Sequence, residues 1–129
     1  MKLHHVGIAV HDLERALAPY HQMLGLRETE RGVVEAFNVT ISMVQVGEAR
    51  LEFLQPLGEG PIKRFLDRHG EGLHHIAFAV SDIEQALADL KRQGVKLIDE
   101  VPRSGFGGHR VAFIHPHSFN SVLVELVEE

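Results

Sequence analysis

In the run HHVGIAV, residues 4–10, bulky and small side chains alternate: His4, Val6, Ile8 and Val10 point one way, His5, Gly7 and Ala9 the other. A period of two marks a strand with one face against a core. The next run, DLERALAPYHQML, changes period and aligns Leu13, Leu17, Tyr20 and Leu24 on one helical stripe that stops at Gly25. The same succession returns later. LHHIAFAV predicts a second strand, and SDIEQALADLKRQG puts Ile83, Leu87 and Leu90 on a second helical stripe. Ser81 and Glu84 read there as a capping box, and Gly94 as the stop. After each helix come short strand-like runs: NVTISMVQV and RLEFLQP around the turn GEA, then RVAFIHP and SVLVELVE. Between the halves, GEGPIKRFLDRHGEG predicts a short helix over Pro61–His69 bounded by glycines.

The recurrence is a duplication. At an offset of 70, nine of the fifteen positions from His4 to Ala18 are identical to those from His74 to Ala88. Two copies are too few for a solenoid, so paired modules are predicted. Module one covers 1–57, a linker helix 58–72 and module two 73–129, all in one α+β domain. A chain of 129 residues buries roughly two-thirds of its unfolded surface without a stabilising metal. A metal here would therefore serve chemistry rather than folding.

Alternation also separates the histidines of each pair. His4 and His74 share the bulky face that packs on a helix, whereas His5 and His75 share a face with Gly7, Ala9, Ala77 and Ala79, where small neighbours leave space. Glu52, between Leu51 and Phe53, and Glu125, between Val124 and Leu126, lie opposite the packed face in the same way. A carboxylate buried without compensation costs several kcal/mol or is driven neutral. Two such acids with two such histidines invite a divalent cation, and a thiolate-free N/O set suits Mn, Fe, Co, Ni or Zn better than Ca. Taken singly, a strand histidine is more often a core residue and a strand glutamate an edge residue. Recurrence of the pair at separations of 47 and 50 residues favours ligation, because core packing has no reason to repeat it in register. His11, His21, His69 and His117 are expected to face solvent, while His109 and His115 are candidates near the site.

Composition narrows the partners. Hydrophobic residues at 44% and charged residues at 24% describe a chain that folds. The net charge of -5, with no run of four basic residues, gives nucleic acid or an anionic membrane surface no electrostatic footing. No stretch of 18 apolar residues suggests a membrane span. The absence of Cys excludes disulfides, thiolate ligands and a cysteine nucleophile. With no leader-like start, the expectation is a cytoplasmic protein with a small-molecule partner.

The motifs HHVGIAV, LEFLQP, GLHHIAFAV and VLVELVE resemble the vicinal oxygen chelate superfamily over essentially the whole chain. Within it, GEGPIKRFLDRHGEGLHHIAF, DEVPRSGFGGHRVAFIHP and VLVEL are most similar to the methylmalonyl-CoA epimerases. The resemblance implies two paired βαβββ modules and a metal, cobalt or manganese first, held by His5, Glu52, His75 and Glu125. It further implies a homodimer, an acyl-CoA thioester substrate, and Glu125 as both ligand and first proton-transfer base. For the second base, the family's glutamate in a GV-x-E strand offers two registers. GVVE places Glu35 there, whereas alignment back from Gly47 places Ile41 there and leaves Glu35 in the preceding loop. The segment HPHSFNSVLVEL departs from the family pattern, which usually has a lysine after the proline and glycines before the valine; Phe119 and Asn120 would reshape the pocket mouth. Lys63, Arg64, Arg68, Arg103 and Arg110 are candidates for coenzyme A phosphates, set against the simpler reading of a solvated basic face. The rivals are a glyoxalase I-type lyase using the same four ligands and a metal-free drug-binding protein, to which two buried carboxylates would be of no use.

Overall fold

The computed structural model describes all 129 residues and is α+β, with eight strands, four paired in each half, and three α-helices. The chain forms two compact units, residues 5–74 and residues 1–4 with 75–129. The first half runs β1 (Lys2–Ala9), α1 (Leu13–Leu24), β2 (Glu28–Val34), β3 (Val39–Val46), β4 (Ala49–Pro56) and α2 (Pro61–His69). The second runs β5 (Gly72–Val80), α3 (Ile83–Arg92), β6 (Arg103–Ser104), β7 (Arg110–Ile114) and β8 (Val124–Glu128). Strand order is β2-β3-β4-β1 in one and β5-β8-β7-β6 in the other. In both, the opening strand pairs in parallel with the last, and the remaining pairs are antiparallel.

Each helix covers one face of its strands. Val10, Leu13, Val44 and Phe53 are buried together, with Ile8, Leu17, Tyr20 and Leu51 packed against them. Ile83 and Leu87 of α3 do the same with Ala112, Ile114, Val124 and Leu126. One predicted stripe position is wrong: Leu24 is 66% exposed. Gly25, at φ 71, turns the chain out of the helix, and Leu26 joins the cluster in its place.

The predicted capping box is also corrected. Asp82 caps α3 by accepting from the Gln85 N–H, just as Asp12 accepts from Arg15 N–H at α1, while Glu84 pairs with Arg110. The duplication extends to a second anchor. The first helical N–H groups, otherwise orphaned, are taken by strand side chains: Leu13 N–H by Gln55 and Ile83 N–H by Glu128.

Candidate metal centre

Burial of the flanking residues toward the helices forces each glutamate to the other face. Leu51 and Phe53 pack toward α1, so Glu52 projects oppositely, and the parallel register sets it beside Gly7. His5 precedes Gly7 by two residues and shares its face. Its Nε2 lies 3.5 Å from Glu52 Oε1. In the other unit, Val124 and Leu126 are core residues, Glu125 registers with Ala77, and His75 Nε2 lies 3.1 Å from Glu125 Oε1. All four side chains are buried, with residue exposures of 2% for His5, 5% for Glu52, 4% for His75 and 6% for Glu125.

Apolar residues stand opposite both carboxylates. Met43 registers with Glu52 and Phe113 with Glu125, and the Phe113 ring packs edge-on to His75 at 5.7 Å. These two residues were not singled out from the sequence, because their role follows from cross-strand register rather than from any local motif. Carboxylates in such surroundings need a compensating charge. The pair spacings suit one: two ligands bound at about 2.1 Å to a common ion lie roughly 3.0 Å apart at a right angle and about 3.4 Å apart in a tetrahedron. Nitrogen and oxygen donors without sulfur match the divalent ions expected from the sequence.

The remaining candidates fall elsewhere. His4 is buried, with Nε2 3.6 Å from Glu129 Oε2 and its ring 6.4 Å from that of His109. His74 packs edge-on to Phe65 of α2. His11, His21, His69 and His117 are exposed, as expected, and so is His109. His115, half-buried, accepts from the His117 N–H and caps a short 3-10 turn.

Glu35 does not occupy a strand. β2 ends at Val34, and Glu35 opens an exposed 3-10 turn whose exit, Asn38, has φ 54. The strand placement of Glu35 is thereby corrected to the loop placement, and Ile41 lies buried on β3. Of the basic residues, Lys63 pairs with Asp67, Arg103 with Asp99, and Arg110 with Glu84 and Glu128. Arg64 and Arg68 stand exposed on α2. Gly105 in the glycine loop answers to packing, since a Cβ there would come within 2.8 Å of the Val111 side chain.

Comparison with known proteins gives a consistent set of likenesses. Residues 4–113 match the family model described as Glyoxalase/Bleomycin resistance protein/Dioxygenase superfamily. The chain is 41% identical to the uncharacterized protein YqjC of Bacillus subtilis, over 98% of this chain and 91% of that one. It is 39% identical to the mitochondrial methylmalonyl-CoA epimerase of Homo sapiens, over 97% and 72% respectively. Among solved structures, the methylmalonyl-CoA epimerase of Mycobacterium tuberculosis superposes with a TM-score of 0.93 at 37% identity, covering 98% of this chain and 86% of that one. A variant of the Streptomyces coelicolor methylmalonyl-CoA epimerase, in complex with 2-nitronate-propionyl-CoA, superposes with a TM-score of 0.96 at 32% identity, covering 100% and 94%.

Proposed function

The chain belongs to the glyoxalase/bleomycin resistance protein/dioxygenase superfamily, and we propose that within it the protein is a metal-dependent methylmalonyl-CoA epimerase. The carrying observation is the pair of buried His–Glu contacts at ligand spacing, 3.5 Å and 3.1 Å. The donors proposed for the ion are His5 with Glu52 in one unit and His75 with Glu125 in the other, each pair buried. The N/O set suits Mn, Fe, Co, Ni or Zn, and the family resemblance puts cobalt or manganese first among them. The likeness to epimerases, one of them in complex with an acyl-CoA analogue, supports an acyl-CoA thioester as substrate.

The reaction requires removal of a weakly acidic proton alpha to a thioester. A bound divalent ion would supply Lewis-acid stabilisation for the oxygen that becomes negative as the proton leaves. Glu125 takes the α-proton on a carboxylate oxygen and can return it, the reversible transfer expected of a positioned acid/base group. His75, beside it, fixes its orientation, and Met43 and Phe113 limit the water around the two carboxylates. The same reading takes the enzyme as a cytoplasmic homodimer; no helix is long and apolar enough to cross a membrane.

Proton NMR of the protein with methylmalonyl-CoA in deuterium oxide tests this. The α-proton signal should disappear, with both epimers formed, at a rate proportional to enzyme and abolished by prior chelation. Metal-loaded protein that leaves the α-proton in place would refute the assignment.

A further inference from the structure

An epimerase must serve both faces of the planar enolate, and Ile41 cannot move a proton. β2 supplies another group. The antiparallel register runs Glu30 opposite Met43, Met43 opposite Glu52 and, in parallel, Glu52 opposite Gly7. Cross-strand partners project to the same face, so Glu30 shares the face that carries His5 and Glu52. Neighbouring strands are about 4.8 Å apart. Glu30 therefore lies two strands from Glu52, with roughly 10 Å between backbones, and the buried Met43 forms the floor between them.

That orientation is built in. β2 has a register shift between Glu28 and Glu30, and a bulge of this kind re-aims the side chains that follow it. Because of it, Glu28 and Arg31 register with Val44 and Ser42 on the helix side. Arg31 binds both Glu28 and Glu14 of α1, and Glu28 accepts from the buried Ser42 hydroxyl. Burial raises the Glu28 carboxyl, but the hydrogen bonds from Arg31 and Ser42 outweigh it and hold the group below the usual carboxylate value. Thr29 pins the bulge by donating to the Met43 carbonyl. With its charged neighbours tied to the other side, Glu30 is the one charged residue of β2 left on the His5 face. Gly32, two residues on and opposite Ile41, leaves that side uncrowded.

We propose that Glu30 is the second proton-transfer group of the epimerisation, serving the enolate face that Glu125 does not. The inference rests on the epimerase reading above. In one direction, Glu125 takes the α-proton, the C–H electron pair passes into the enolate, and Glu30 in its acid form gives its own proton to the opposite face of that carbon. In the other direction the roles exchange. Glu30 is exposed in the free protein and so re-equilibrates with solvent between turnovers.

The test compares Glu30→Gln with wild type and with Glu35→Gln, using deuterium wash-in and inversion measured separately for each epimer of methylmalonyl-CoA. In Glu30→Gln, the epimer whose α-proton faces Glu125 should still exchange within a few-fold of wild type, while inversion falls by about 100-fold or more. Glu35→Gln should match wild type in both, and all three proteins should melt alike, since the change is isosteric on an exposed edge. Inversion by Glu30→Gln at the wild-type rate would overturn the proposal while leaving the epimerase reading intact. No exchange in wild type itself would remove the epimerase reading, and this inference with it.

Discussion

A single residue decides most at the two histidine pairs. His4 and His5 are both buried, so burial alone does not separate ligand from bystander; strand alternation does, placing only His5 beside Glu52. His5→Ala should therefore lose the metal, measured as ion content after gel filtration, whereas His4→Ala keeps it. The opposite pattern would show the strand-face argument to be wrong. At Glu125, the Gln variant keeps an oxygen for the ion but cannot accept a proton. Metal content should persist while turnover falls by about two or more orders of magnitude; near-normal exchange would remove Glu125 from the mechanism. The pairing of His5 with Glu52 and of His75 with Glu125 was legible because each of these residues lies in a strand whose flanking residues pack on the opposite face. Glu35 was not, because two valines before it mimic a strand that ends at Val34, and nothing local announces a 3-10 turn there.

Elements with strong periodicity were legible, and those held by tertiary contacts were not. The helix over Pro61–His69 has the bounds its proline and glycines set. β2 escaped notice because ETERGVV places polar residues at both phases of the alternation, a pattern explained only by the bulge and the ion pairs that anchor Glu28 and Arg31. β6 has two residues, too few to carry any period. The start of α3 shows how close two local readings can be. Ser81 and Asp82 are both good cap residues, and only backbone geometry picks Asp82. Asp82→Ala should cost about 1 kcal/mol, seen as a fall of roughly 4 °C in the thermal midpoint, while Ser81→Ala should change it little. Equal losses in the two variants would restore the serine cap.

At the scale of the whole molecule, the duplication poses a question of stoichiometry. Each unit holds its own His–Glu pair, so a chain could in principle take up two weak two-ligand ions or one ion with ligands from both halves. Two-ligand sites bind poorly, because most of the coordination shell is left to water; four protein donors make an ion worth retaining. One shared ion predicts about one cobalt per chain by elemental analysis. It also predicts a stability gain that grows with the logarithm of free metal, about 2.7 kcal/mol at 100 times the dissociation constant. Substitution in either unit should then abolish the whole gain: His5→Ala and His75→Ala would each melt at the same temperature with and without cobalt. Independent ions predict two per chain and a half-sized gain left in each single variant. That outcome would assign the metal to the modules separately, and the repeat would no longer explain how a reacting thioester meets a single electrophilic centre.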